Sequence, residues 1–350
     1  MVTMGADRHE RTHTLVAVDE HGRKLAERTV AATPSGHLEL LVWACARFDE
    51  RRWALEDCRH LSRRLERDLL LAGEAVVRVP PELMAGARRS GREPGESDPI
   101  EALAVARAAL REPDLPVARS DGPEREVRLL VDHRDDLVAE RTQAQDRLRG
   151  HLHELVPGDE PPARGLDRRH VLDALEVRLT GLEGMVAAIA ADLVARIREL
   201  PPVIDRLERE IDARVADLAP SLLALEGCGP LTAAKLVGET AGIARFRSSA
   251  AFARHDGTAP VPVWSGDTTR HRLSRGGDRQ LNVAIHRIAI TQVRLGGEGA
   301  PYVAQRMAAG ETRREALRAL RRRISDVVHR RMRDDELGRV RREPPMAAAA

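Results

Sequence analysis

Pro123 to Leu155, "PEREVRLLVDHRDDLVAERTQAQDRLRGHLHEL", reads as one long charged helix, and it divides the sequence in two. Ahead of it, strand and helix patterns alternate. Behind it, after the linker "PGDEPPARG", helical periodicity resumes from Leu166 to Leu218, with a break expected at Pro201 and Pro202. Leucine, isoleucine and valine recur there at spacings of three and four, as in a helical hairpin or coiled coil. At 350 residues the chain holds two or three domains, and the pattern puts them at 1–120, 121–218 and 219–335, with a disordered tail over 336–350.

The first 110 residues suggest a mixed sheet flanked by helices. "THTLVAVD" (Thr12–Asp19) is a strand, "EHG" a turn, and "RKLAERTVAA" a returning strand. Ser35 to Phe48 has helical apolar spacing through Leu38, Leu41, Val42 and Ala46. "RRWALE" is a short strand, "RHLSRRLERDLLLAG" an amphipathic helix closed by Gly73, and "AVVRV" another strand stopped by Pro80 and Pro81. No apolar run reaches the roughly 18–20 residues of a membrane span. The start, "MVTMGADRHERTH", has no export-signal pattern. Cys45, Cys58 and Cys228 are widely separated and form neither a disulfide framework nor a metal knuckle, which suits a reducing cytoplasm.

Charge is unevenly placed. The net charge is +2, yet Val263 to Asp335 alone carries 16 arginines against 8 acids, which leaves −6 on the remainder. Such asymmetry is expected where one region grips a polyanion, although a run such as "RREALRALRRRISDVVHRR" can equally be a solvated helix face. The densest part is "VWSGDTTRHRLSRGGDRQLN" (Val263–Asn282), where Arg270, Arg272, Arg275 and Arg279 lie among glycines and hydroxyls. Just upstream, "LLALEGCGPLTAAKLVGETAG" resembles a helix–hairpin–helix, with Gly227 and Gly229 in the turn presenting backbone N–H groups to phosphate. A tight turn between packed helices is the plainer alternative. Aromatic content of 2% excludes a broad stacking platform for single strands.

Two patterns could carry chemistry at the N-terminal end. "HERTH" (His9–His13) matches H-E-x-x-H, but that zinc signature works only on a helix, and here a strand and turn follow. Four acids are better placed. Asp7 lies in the N-terminal strand region before the hairpin, Glu56 ends "RRWALE", and Asp98 and Glu101 sit in "GESDPIEALAVARAAL". Carboxylates that converge from strand ends and a crossing helix repel one another. A divalent cation relieves that repulsion, and magnesium suits oxygen ligands and phosphoryl transfer. For the last pair, Asp98 at N-cap, Pro99 at N1 and Glu101 at N3 would also make a capping box.

In order along the chain, "GADRHERTHTLVAVDEHG", "ALEDCRHLSRRLERDLLLAGEAVVRVPP" and "GESDPIEALAVARAAL" resemble the N-terminal domain of the DEDD-type insertion-sequence transposases. These are relatives of the Piv DNA invertase, described as bridge-RNA-guided recombinases. The later stretch from "LEGCGPLTAAKLV" to "RQLNVAIHRIA" resembles the same family's transposase domain. The resemblance implies an α/β plus α architecture: a RuvC-like, RNase H-type domain, a coiled-coil insertion, and a helical C-terminal domain with a nucleophilic serine. Carried onto this sequence, the catalytic and metal-holding acids are Asp7, Glu56 and Asp98, with Glu101 at the fourth position, and the serine is Ser265. Magnesium is the implied cofactor, DNA and a structured guide RNA the implied partners. Strand exchange among four DNA ends implies at least a dimer, and a tetramer on DNA. Two departures stand out: Glu101 replaces the family's fourth Asp and Glu96 replaces a lysine. The alternatives are a junction-resolving nuclease that activates water, with Ser265 a bystander, and a decayed copy that only binds nucleic acid.

Overall fold

The computed structural model describes residues 1–56, 63–80, 83–84, 97–112, 115, 117–118, 122–158, 161–265, 268–272 and 276–342. The side chains of Arg8, Val263, Ser265, residues 268–272 and Arg342 fall outside that description. The N-terminal part is a five-stranded sheet in the order β3-β2-β1-β4-β5. Its strands are β1 (Val2–Arg8), β2 (Thr12–Val18), β3 (Lys24–Ala31), β4 (Arg51–Glu56) and β5 (Val76–Val79). β1 is antiparallel to β2 and parallel to β4; β4 and β5 are parallel, and β2 and β3 antiparallel. Asp7 therefore stands on the central strand.

Alternation sorts the two faces. Met4, Ala6, Leu15, Ala17, Val30, Trp53, Leu55 and Val76 form one core with Leu40, Trp43 and Ala44 of α1 (Pro34–Cys45) and Leu65 and Leu69 of α2 (Arg63–Leu71). The apolar side expected for α1 is shifted: Leu40, Trp43 and Ala44 are buried, whereas Leu38 and Val42 are exposed. The opposite face is covered by α3 (Asp98–Arg111). Val16 and Val18 meet Ala102 and Ala106 there, and Ala54, Val77 and Val79 meet Ala104, Val105, Ala108 and Ala109. Gly5 sets how close that helix lies. A Cβ at Gly5 would fall 2.2 Å from the Ala102 carbonyl oxygen and 2.4 Å from the Ala106 nitrogen, so only glycine lets β1 and α3 touch by their backbones.

Two long helices follow, α4 (Pro123–Leu155) and α6 (Met185–Leu218), with α5 (Arg169–Thr180) between them. They pack antiparallel. The early part of α4 (Val127, Val131) shares a core with the late part of α6 (Ile211, Val215), while Ala144, Leu148 and Leu152 pack with Leu193, Val194, Ile197 and α5. The expected break at Pro201 and Pro202 does not occur, for α6 runs straight through them. Prolines cost a helix two N–H donors. Here the buried stripe Ile197, Leu200, Ile204 and Leu207 continues on both sides, so packing along that stripe holds the helix together.

The C-terminal part is helical: α7 (Pro220–Leu223), α8 (Pro230–Thr240), α9 (Ser249–His255), α10 (Arg279–Leu295), α11 (Gly299–Ala308) and α12 (Arg313–Arg342). α12 extends past residue 336, where a disordered tail was expected to begin. A two-stranded ribbon, β6 (Val261–Ser265) and β7 (Thr268–Arg272), lies between α9 and α10. Among the described residues no helix is long and apolar enough to cross a membrane.

Candidate active site

Asp7 is the penultimate residue of β1 and shares a face with Gly5, so its side chain lies on the side that α3 covers. The Gly5–Ala102 contact brings the first turn of α3 to the end of the strand, one helical turn back from Ala102. Asp98 occupies that turn. His9, just beyond β1, donates its backbone N–H to the Thr12 carbonyl at 2.9 Å, and this tight reversal brings its ring back over the strand end. Its Nε2 lies 3.2 Å from Asp7 Oδ2 and 3.1 Å from Asp98 Oδ1. Asp7 is only 6% exposed, whereas His9 and Asp98 are 53% and 43% exposed, so the cluster is anchored inside and open outside. Burial pulls the His9 pKa down, but Asp7 and Asp98 more than offset it, and the net shift is upward.

The first helical residue of α3 is Asp98 itself. Ser97 takes the N-cap position in extended backbone and makes no side-chain capping bond. That moves the numbering by one: Asp98 is N1, Pro99 N2 and Glu101 N4. The capping-box alternative thus fails on register, since its two partners must stand at N-cap and N3. Asp98 instead directs an oxygen to His9.

Glu56 ends β4, and the parallel register runs through Gly5↔Ala54 and Ala6↔Leu55. Continued by one residue, it sets Glu56 level with Asp7. Glu56 has the same parity as Ala54, which packs against α3, so it belongs to the face that carries Asp7. Asp7, His9 and Asp98 have ligand atoms that all lie within 4.8 Å of one another, a set that Glu56 and Glu101 do not join. Glu101 is half-buried one turn into α3. Glu96 lies outside the described residues.

Sequence reasoning passed over His9 as a member of this group. The H-E-x-x-H reading paired it with His13, but no helix forms there. His13 is buried in the sheet and stacks on His37 with ring centroids 5.2 Å apart. The usable signal was the two-residue spacing between Asp7 and His9 across a strand end, and it becomes readable only once the chain is known to reverse at Thr12.

The second group of sequence-predicted residues lies on and around the ribbon. Val261 is opposite Arg272, Val263 opposite Arg270, and Ser265 opposite Thr268. Ser265 closes β6; its side chain and those of Arg270 and Arg272 fall outside the description, as does Arg275 entirely. Arg279 is exposed at the first position of α10, whose N-cap Asp278 accepts the N–H groups of Gln280 (2.8 Å) and Leu281 (3.0 Å).

The ribbon leaves the body through a narrow neck. The Asp278 N–H donates to the His255 carbonyl at 2.6 Å. Gly257 and Gly277 press together at φ 72° and 110°, so a Cβ on Gly277 would sit 2.6 Å from the Gly257 nitrogen. Beneath them Asp256 is fully buried and accepts from Ser325 Oγ (2.5 Å) and the Thr258 N–H (2.8 Å). Burial pushes its pKa up to about 6, although those hydrogen bonds pull the other way.

Gly227, with φ 83°, stands in a turn between α7 and α8 and lies against α10; its Cβ would be 3.0 Å from the Ile288 carbonyl oxygen. Gly229 is open, with nothing within 4 Å of where its Cβ would be. The helix before this turn is only four residues long, shorter than the helix–hairpin–helix expectation requires. Nearby Cys228 is buried, which raises its pKa to about 12 and leaves the thiol protonated.

Residues 4–157 match a DEDD-type transposase family of the IS110 group, and residues 219–304 match the family described as "Transposase IS116/IS110/IS902 family". The chain belongs to the IS110/IS116 transposase family. The transposase is 27% identical to a 44.8 kDa protein of insertion element IS116 from Streptomyces clavuligerus, over 96% of each chain. It is 26% identical to a 42 kDa protein of IS900 from Mycobacterium paratuberculosis, over 95% of this chain and 96% of that one. Two solved structures of Thermus thermophilus RuvC, one in complex with a Holliday junction substrate, align with 34% of this chain at 18% identity and a TM-score of 0.27.

Proposed function

We propose that the transposase cuts and rejoins the DNA of its element at the α3-covered face of the sheet, with a divalent cation held by Asp7 and Asp98 and supported by Glu56. The observation that carries this reading is the convergence of a buried aspartate, a half-exposed aspartate and an imidazole at one strand end. The donor set fits a cation: two carboxylates from separate elements point at one spot and stay open to a phosphate on the outer side. The strand order and directions support a RuvC-like, RNase H-type reading of the sheet. When bound there, the cation would polarise a phosphoryl oxygen and offset charge as the phosphorus is attacked. Magnesium is the ion the family resemblance implies. Glu101, one residue further into α3 than a capping box would put it, serves at the margin of the site.

Ser265 is the proposed nucleophile. Its oxygen would bond to phosphorus as its hydroxyl proton departs and a DNA hydroxyl is released, and rejoining reverses the exchange. By the ribbon's register, Ser265, Arg270 and Arg272 belong to one face, which supports a phosphate-gripping role for these arginines together with Arg275 and Arg279. Gly227 and Gly229 contribute backbone N–H groups to the same duplex. A structured RNA that selects the DNA and assembly as a dimer or tetramer rest on the resemblance alone; sequencing co-purified nucleic acid and light scattering test them.

The function is tested on a denaturing gel with element-end DNA. Wild-type protein gives a covalent protein–DNA adduct, Ser265→Ala binds without adduct, and Asp7→Asn binds and neither cleaves nor links. Free cleaved ends from Ser265→Ala would establish water as the nucleophile in its place. Cleavage at normal rate by Asp7→Asn would remove the carboxylate site from the reaction.

A further inference from the structure

One nitrogen occupies the space between the two aspartates. His9 Nε2 lies at nearly equal distance from Asp7 Oδ2 and Asp98 Oδ1, 3.2 and 3.1 Å. This placement follows from the backbone: the His9–Thr12 turn sets the ring at the strand end, and the Gly5 contact sets the first turn of α3 beside it. Metal–ligand bonds of about 2.1 Å put neighbouring donors about 3.0 Å apart in an octahedron and about 3.4 Å apart in a tetrahedron. The observed separations lie between these, so spacing admits either geometry and donor chemistry decides which ion is preferred.

Magnesium favours oxygen ligands and keeps several waters, whereas imidazole nitrogen raises affinity along the series from manganese to zinc. A site of two carboxylates and one imidazole is therefore poorly matched to magnesium among the common divalent ions.

We infer that His9 is a third metal ligand of this site, through Nε2, and that it makes the transposase select manganese and the later first-row ions over magnesium. The inference rests on the reading that Asp7 and Asp98 hold a cation, and it adds a residue and a selectivity which that reading lacks. His9 stands in an exposed turn whose backbone bond to Thr12 does not involve the ring, so its side chain can be replaced without disturbing the sheet.

The test uses manganese as its own probe on the full chain. Pulsed EPR of the bound ion is expected to show hyperfine coupling to an imidazole nitrogen, and His9→Ala to lose it. In competition titrations wild-type protein is expected to favour manganese over magnesium by at least about tenfold. That ratio should shrink to within about threefold in His9→Ala, and His9→Asp should bind magnesium better than the wild type does, since every donor is then oxygen. Manganese that binds in an Asp7-dependent manner without nitrogen coupling, at a metal ratio unchanged in His9→Ala, overturns the ligand assignment and leaves the carboxylate site standing. Manganese binding that is indifferent to Asp7→Asn overturns the carboxylate site and His9 with it.

Discussion

Asp7 stands on the middle strand of a sheet with five strands, pinned by a helix whose backbone touches the backbone of its own strand. The ribbon that carries Ser265 has two strands of five residues and joins the body through a neck of two glycines. The first arrangement spends buried packing to fix a few side chains, as suits a site where misplacement of about 1 Å can cost on the order of 100-fold in rate. The second is a short strand pair, which on the proposed function would meet a nucleic-acid backbone of variable shape. On that function this is a division of labour, in which the sheet would supply geometry and the ribbon charge and reach.

The most damaging way to break this contrast is at Gly5. Gly5→Val drives a branched side chain into the α3 backbone and separates Asp98 from Asp7. Metal-dependent cleavage should fall by at least about 100-fold, with a loss of stability of about 1–3 kcal/mol or more. Cleavage assays and a thermal melt measure the two effects; normal activity in a folded variant would show that the close contact does not position the site.

The neck should respond to pH. Asp256 has a folded pKa of about 6, above its unfolded value near 3.9, so between these the folded state holds the extra proton. Stability from this group is present below about pH 4 and is lost as pH rises through 6, by on the order of 2–3 kcal/mol. Comparing wild type with Asp256→Asn between pH 4 and 7 isolates the trend, which should vanish in the variant. Equal pH slopes in the two proteins would mean that Asp256 is ionised and compensated throughout.

The ribbon's contribution is expected to be graded. Replacing Arg270 and Arg272 by alanine should reduce the slope of log affinity against log salt by roughly one to two, without abolishing binding. An unchanged slope would assign both arginines to solvation. The mildest effect is optical: Trp43 of α1 and Trp53 of β4 are buried in the core beneath the sheet, whereas Trp264 on the ribbon is 71% exposed. DNA should alter the emission of Trp264 alone, and Trp264→Phe should abolish the change. A response that persists in that variant would place the contact away from the ribbon.

Much of the sheet was legible in the residues. The β2–β3 hairpin, "RRWALE" and the Gly73 helix end follow from alternation and turn chemistry, and Gly73 does take φ 78°. β1 was harder to read as a strand, because "VTMGADR" lacks the β-branched alternation of an edge and is buried on both faces. Asp7, Glu56 and Asp98 could be nominated from strand ends and a helix start. His9 could not, since its place depends on a turn and on a helix nearly ninety residues away. Pro201 and Pro202 misled for a related reason: local chain chemistry argues for a break, and a stripe of leucines and isoleucines packed along α4 prevents it.

The paired helices α4 and α6 have a mechanical consequence. Their near halves belong to the C-terminal core, and their far halves carry a core of their own. Arg134 bonds Glu208 at 2.8 Å and Lys235 bonds Asp135 at 2.6 Å close to the point where the two cores part. From Val131 to Leu155 the helix runs about 36 Å at 1.5 Å per residue. A tilt of about 10° at those ion pairs, roughly 30 Å from Leu155, would swing the tip by about 5 Å, more than the rise of one base pair at about 3.4 Å. Those four charged side chains stand where any such tilt would have to turn.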